Sequence, residues 1–484
     1  MEENTNPAES ASATAQACLT KVFTGILLAD GVSMECAEDR CISFAHELMA
    51  RAFGAALEIL DEKLCADLPD GVRVHDRRKR TLATKMGDVA FRYRRCRDAS
   101  GCSVIPLADA LDAPWGARIS PAAASFLVEA GADVSFSGSA RLLESAGGSK
   151  VSATSVICMH GVGELCADED ALAAEELYGN GVLSDSEHSA SEICLESDGT
   201  WFNLQEVAEG EPDRVEVKAL VAYAGKTEKG KKVLRALPVR HGCVGMPRAF
   251  WTEGVAAVGT RFDLSKVETC HMGCDGEGSY KAGGSYLSGI ECDTRLDPFH
   301  VNRYVIGCFK PQDRKLASNI LGCAMDGDVG AAAKMIDIAG ENGIANKGYE
   351  RVSAYLRNNA GIIFTGGLSL GTMEAEQQHV YGCRMDSVPC GWSVAGADAM
   401  ARVRSRLASK RALPKPTREQ SMTPRRRKRT EFRTLSALEK KVDIRIPTKV
   451  GRGSEAEHSA SLAAMSAEVR YAAGVDSGMI ATRR

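Results

Sequence analysis

The sequence predicts an α/β protein: a helical and hairpin region first, then a β-β-β-α-β unit, then a mainly helical stretch. Three observations carry this. Residues 192–205, 214–224 and 232–240 are strand-like runs joined by the turn-rich "EVAEGEPD" and "GKTEKGK", and such short connections imply antiparallel pairing. A helical segment at 247–258 and a fourth strand ending at Asp275 follow. Residues 17–64 instead carry helical periodicity, strongest in "CISFAHELMARAFGAALEILDEKL".

Taken in order, residues 1–16 are small and polar and are expected to be disordered. Residues 17–70 form a helical region. Residues 71–116 hold a basic hairpin, "RVHDRRKR" followed by "RTLATKMGDVAFRYRR", with its turn at Met86-Gly87-Asp88. Val89, Phe91 and Tyr93 alternate there with Ala90, Arg92 and Arg94, so one face is basic. In residues 117–165, Ser120 caps a helix with Pro121 at its first position. A second helix covers 137–145, Gly147-Gly148 breaks it, and Ser152 can cap a third helix to Leu165. That is helix-turn-helix spacing, although Lys150 is the only cation near the third helix. Residues 166–191 are acidic and read as a linker. Residues 192–395 form the main domain, with a helical insertion at about 299–365. Residues 396–484 read as a basic tail.

Net charge is −4 over 484 residues, which by itself names no partner. The charge distribution is more informative. No Lys or Arg lies between Lys150 and Arg214, whereas residues 402–433 hold thirteen against two Glu. Such separation suits a polyanion, here double-stranded DNA. The candidate contacts are Arg77, Arg78, Lys79 and Arg80 in the hairpin, and Lys150, Ser152 and Thr154 by the third helix. Arg425, Arg426, Arg427, Lys428 and Arg429 complete the set in the tail. Solvated surface and a plain helical bundle are the competing readings.

The 17 cysteines include no CxxC pair, which suits reduced thiols in the cytoplasm rather than a disulfide framework. "CHMGC" lacks a second ligand pair at zinc spacing. The polar start "MEENTNPAES" is no signal peptide, and no run reaches the ~18 apolar residues of a membrane span. A cytoplasmic, nucleoid-associated protein is expected.

Three acids occupy telling positions. Asp198 lies in "LESDGTWFNLQ" on the first strand, where Cys194, Glu196, Asp198, Thr200 and Phe202 share one face. Asp275 ends the fourth strand, and Glu374 sits in the last helix. In a β-β-β-α-β sheet the first and fourth strands can be neighbours, and a helix across them brings the third carboxylate alongside. Two Mg²⁺ ions (or Mn²⁺) about 3.5–4 Å apart need such a cluster. A tight turn explains either Asp-Gly pair equally well, and first-turn helix charge explains Glu374.

Longer words add a resemblance. From about Arg80 to Arg406 the chain resembles bacterial insertion-sequence transposases of the ISLre type, relatives of the Mutator-like transposases. "ESDGTWFNLQ" and "CDGEGSY" are similar to the first- and second-acid motifs, and "GTMEAEQQHVYGCRMDSVPCGWS" to the third-acid helix. "LDPFHVNRY" is similar to an Asp-Pro/Arg-Phe-His element carrying Asp297 and His300. Counting back from Arg384-Met385 and Gly391-Trp392-Ser393 selects Glu374 over Glu376. Cys274, Glu277, Gly278 and Tyr280 depart from the family pattern around the second acid.

The resemblance implies an RNase H-like (retroviral-integrase-like) catalytic domain with a helical insertion. It implies catalytic and metal-binding Asp198, Asp275 and Glu374, with Asp297 and His300 accessory. The implied reaction is metal-dependent cleavage at element ends and strand transfer into target DNA, by a protein that oligomerises when two ends are synapsed. The alternatives are an inactive or domesticated DNA-binding descendant, or a cellular RNase H-like nuclease. Trp201 and Trp392 are expected in the core.

Overall fold

The computed structural model describes residues 7–29, 31–112, 116–153, 158–205, 207, 212–229, 232–363, 370–371, 373–386 and 391–415. They fall into two compact units that part between Met159 and His160.

The first unit opens with α1 (Pro7–Leu27) and α2 (Met34–Ala66). α1 starts inside the stretch expected to be disordered; its Ala, Ser and Glu content is helix-permissive, and low hydrophobicity alone concealed it. Ser33 caps α2 by accepting the Cys36 N–H at 3.2 Å. β1 (Arg73–Thr84) and β2 (Gly87–Arg97) form the expected hairpin. Thr84 pairs with Gly87, so the turn residues are Lys85 and Met86, one position earlier than the sequence suggested. Gly87 takes φ +97°, which a side chain would resist. Val89, Phe91 and Tyr93 are buried against Ala50 and Leu57 of α2. α2 also covers the outer edge of β2: Glu58 accepts the Arg92 N–H at 2.8 Å, and Asp61 accepts the Arg94 N–H at 3.0 Å. A short β3 (Ser103–Val104), α3 (Pro106–Ala110), α4 (Pro121–Asp133) and α5 (Phe136–Ser145) complete the unit. Ser120 caps α4 as expected, accepting the Ala123 N–H at 3.2 Å.

The expected third helix is corrected. α6 (Cys158–Gly179) begins beyond Ser152 and continues through the first half of the supposed acidic linker. Nearly all of it belongs to the second unit. Its acids are not a sign of solvation throughout, because Asp170 is buried.

The second unit is built on a five-stranded mixed sheet. β4 (Glu192–Asn203), β5 (Arg214–Tyr223) and β8 (Val239–Cys243) are antiparallel. A small hairpin, β6 (Lys226–Lys229) and β7 (Lys232–Arg235), interrupts the connection from β5 to β8. After α7 (Pro247–Arg261) the chain returns as β9 (Thr269–Cys274), parallel to β4. Then α8 (Gly278–Lys281) leads to β10 (Glu291–Leu296), parallel to β9. The strand order is β10-β9-β4-β5-β8, so the first and fourth predicted strands are indeed neighbours. Ile193, Leu195, Leu220 and Ala222 share one sheet face and pack with Phe250, Trp251 and Val255 of α7.

Helices α9 (Pro298–Gly307), α10 (Arg314–Met325), α11 (Val329–Glu341) and α12 (Tyr349–Asn358) follow, with their own core around Val305, Ile320, Ile336 and Leu356. They occupy the stretch, about 299–365, that the sequence suggested would be mainly helical. The chain then forms α13 (Met373–Glu376), a π-helical turn (Gln377–Gly382) and α14 (Cys383–Met385). α15 (Val394–Ala408) closes the unit against β8 and β5.

α15 corrects the start of the supposed basic tail. Arg402 and Arg406 are 6% and 4% exposed. Arg402 donates to Asp170 at 2.9 Å, Glu253 at 2.8 Å and Asp398 at 3.0 Å; Arg406 donates to Asp170 at 2.7 Å. These arginines are internal counter-ions. His241, Cys243 and Glu253 also converge here, but the Arg402 guanidinium already serves as the cation of that cluster. Trp392 is buried as expected, donating to the Met385 carbonyl at 3.0 Å, whereas Trp201 is 52% exposed.

Candidate functional site

The site lies on the sheet face opposite α7. The register of β4 against β9 pairs Glu196 with Gly273, which brings Asp198 level with Asp275 just beyond the end of β9. Asp198 is 7% exposed. Its carboxylate accepts the Gly199 N–H at 2.7 Å, and its main-chain carbonyl accepts a hydrogen bond from the Gln377 side chain at 2.8 Å. Gln377 opens the π-helical turn, an irregularity often found where a helix is adapted to a site.

Asp275 is held by its own loop. It accepts the Glu277 N–H at 2.8 Å, while its carbonyl accepts from Tyr355 of α12 at 2.8 Å. Gly276 is required here: φ is +89°, and a Cβ would lie 2.7 Å from Leu296 and 2.9 Å from Asn359. Burial pushes the Asp275 carboxyl up to about 7, and the neighbouring Asp198 adds to the rise.

Glu374 is exposed at the start of α13. One oxygen each from Asp198 and Glu374 and one nitrogen of His300 lie within 4.8 Å of one another. Glu376, one turn-step away, points elsewhere: it is buried and ion-paired with Arg235 at 2.5 Å and with Arg240. Geometry therefore separates the two candidate acids of α13.

The Asp297–His300 element divides as well. His300 Nε2 lies 3.6 Å from Asp198 Oδ2. Burial opposes protonation of this imidazole, yet Asp198, Asp297 and Asp275 together hold its pKa above the usual value. Asp297 instead caps α9, accepting the Phe299 N–H at 2.8 Å. Burial raises its pKa.

Sequence reasoning left the role of Glu196 open and did not single out Gln377, Tyr223 or Gly371. Glu196 is 1% exposed and accepts from Tyr223 at 2.6 Å and from the Gly371 N–H at 2.8 Å. Its place on the Asp198 face was the available signal.

The DNA-contact candidates of the first unit are more constrained than their charges imply. Arg77 pairs with Glu58 at 3.3 Å, Arg78 with Asp76 at 3.2 Å, and Arg80 donates to the Ala117 carbonyl. Lys79 is exposed. Lys150 pairs with Glu144 at 3.4 Å, and Ser152 is exposed. Thr154, Arg425, Arg426, Arg427, Lys428 and Arg429 lie outside the described residues.

Fold and site together define a mixed α/β protein with a carboxylate-and-imidazole cluster at the junction of two parallel strands. Residues 27–413 match the uncharacterised protein family UPF0236, and the chain belongs to that family. It is 23% identical over 394 residues to a UPF0236 protein of Caldanaerobacter subterraneus subsp. tengcongensis, covering 78% of this chain and 80% of that protein. A second UPF0236 protein of that organism, whose name carries eleven locus designations, is 23% identical over 391 residues, 78% of each chain. A third is 24% identical over 220 residues, 44% of this chain and 43% of the relative. Among the described residues no helix is long and apolar enough to cross a membrane.

Proposed function

We propose that this protein is a DDE-type transposase with an RNase H-like catalytic domain, acting on double-stranded DNA at element ends and in the target. The observation that carries this is the meeting of Asp198 on β4 with Glu374 on α13, beside Asp275 at the end of the adjacent parallel β9. The adjacency of the strands carrying the first two acids, and the helices that precede the third, support this reading. One relative's eleven locus designations in a single organism add support, since a self-copying DNA element produces such multiplicity. That multiplicity weighs against a single-copy cellular nuclease.

The donor set fits divalent ions. Two carboxylates and an imidazole converge, Asp275 lies near enough for Asp198 to raise its pKa, and the base acting most on Asp275 is His300 rather than an Arg or Lys. Asp198, Asp275 and Glu374 would hold the two Mg²⁺ ions (or Mn²⁺), which supply activation of the attacking oxygen and neutralisation of the leaving one. The protein's own contribution is placement. Gln377 ties α13 to the Asp198 backbone, and the Gly276 turn fixes Asp275. In the metal-free site, His300 offsets the repulsion among the acids. Exposed hairpin cations and the basic C-terminal residues would grip phosphates, and synapsis of two ends would require an oligomer.

The test is excision from a plasmid carrying the gene's flanking DNA ends, in Mg²⁺, with wild type and Asp198→Asn. Excision by wild type alone is expected. Excision by both proteins would refute the assigned triad. End-specific binding without excision would favour an inactive descendant.

A further inference from the structure

We propose that one divalent ion at this edge is bound by Asp198, His300 and Glu374 together, so that one of its ligands is an imidazole nitrogen and the site favours Mn²⁺ over Mg²⁺. The inference rests on the acidic cluster being a metal site, and names the ligand that an all-carboxylate scheme omits.

Three observations carry it. His300 Nε2 and Asp198 Oδ2 face each other at 3.6 Å, too far for a good hydrogen bond. Ligand bonds of about 2.0–2.2 Å set at 90–110° place neighbouring donor atoms about 3–3.6 Å apart, which is the separation seen. Second, one Glu374 carboxylate oxygen lies within 4.8 Å of a carboxylate oxygen of Asp198 and a ring nitrogen of His300, so three elements (β4, α9 and α13) deliver one donor each to a common point. Third, the imidazole is held in place rather than swinging freely. Asp297 caps its helix, the Phe299 ring meets it edge-on at 5.5 Å, and only 9% of the residue is exposed.

The chemistry follows from the donors. Mg²⁺ strongly prefers oxygen and keeps its waters, whereas first-row transition ions gain more from an imidazole nitrogen. Mn²⁺ accepts the carboxylates as readily as Mg²⁺ does and tolerates the nitrogen better.

Mn²⁺ is also the probe. The full-length chain is titrated with Mn²⁺ followed by electron paramagnetic resonance, with Mg²⁺ as competitor, and the bound ion is examined by electron spin-echo envelope modulation. Expected are tighter Mn²⁺ than Mg²⁺ binding and a directly coordinated nitrogen in the modulation. Both features should be lost in His300→Ala and, with packing volume largely kept, in His300→Gln. Binding that is lost in Asp198→Asn but shows no coordinated nitrogen in wild type overturns the imidazole ligand alone. So does a nitrogen signal that survives in His300→Gln. Mn²⁺ binding that is indifferent to Asp198→Asn overturns the metal-site reading beneath it.

Discussion

Glu196 Oε2 accepts the Gly371 N–H at 2.8 Å, joining the strand of the first acid to the segment three residues before the third. The other carboxylate oxygen accepts the Tyr223 hydroxyl at 2.6 Å. Gly371 takes φ +99°, and a Cβ there would sit 3.1 Å from the Asp297 carboxylate. Asp198 and Glu374 are thus held in register by a residue two positions from one and a backbone amide three positions from the other.

Glu196→Ala should therefore remove the carboxylate that accepts from a buried tyrosine hydroxyl and from a backbone amide. The expected loss is about 1–3 kcal/mol of stability, checked by urea unfolding. Metal affinity at Asp198 should fall with it. A variant as stable as wild type would show that water replaces the latch at no cost.

The two acids of α13 should behave in opposite ways. Glu374→Gln removes an exposed carboxylate with no packing role, so excision should be lost while the melting temperature stays within a degree or two. Glu376→Gln leaves Arg235 and Arg240 without their buried anion, and about 3–5 kcal/mol should be lost. Thermal melts of the two variants side by side decide the matter. Equal destabilisation would contradict the separation of roles.

What was legible in the sequence was what alternation and turn residues encode. β4, β5, β9, α7 and the Ser120 cap all stand close to where those signals put them. What was hidden is buried charge. Asp170 made α6 look like linker, and Arg402 and Arg406 made α15 look like tail, because a sequence read alone equates charge with solvent. The i, i+4 spacing of the two arginines puts them on one helix face, and their acids come from α6 and α7, too distant in sequence to be paired by inspection. β10, "ECDTRL", was missed because it is short and its inward phase, Cys292, Thr294 and Leu296, is broken by a polar residue. The site was legible as a set of positions. The division of Asp297 from His300, and the part played by Glu196, required the third dimension.

Arg402→Ala gives the direct check on that correction. It should cost about 3–5 kcal/mol by leaving the buried Glu253 without its cation and Asp170 with Arg406 alone, with no change in the salt dependence of DNA binding per folded molecule. Lys79→Ala should do the reverse, leaving the melting temperature unchanged and lowering the slope of log affinity against log salt by about 1. A normal melt for Arg402→Ala would return α15 to the surface.

The pH dependence follows from Asp275. Its carboxyl is pushed up to about 7 from an ordinary 3.8, first by burial and then by Asp198. Between those values the folded, metal-free protein holds a proton that the unfolded chain has released. Stability from this group is therefore complete below pH 4 and is lost as pH rises through about 7. Mg²⁺ should reverse the trend, because a metal ligand must be deprotonated, and binding at pH 6 should release protons. Calorimetric titration in two buffers of different ionisation enthalpy counts them, and chemical denaturation at pH 5 and pH 8 with EDTA measures the slope. Asp275→Asn should flatten that slope and abolish this group's share of the proton release. A slope unchanged by the substitution would mean that Asp275 is already ionised in the folded protein, and that the repulsion a metal is expected to relieve does not exist.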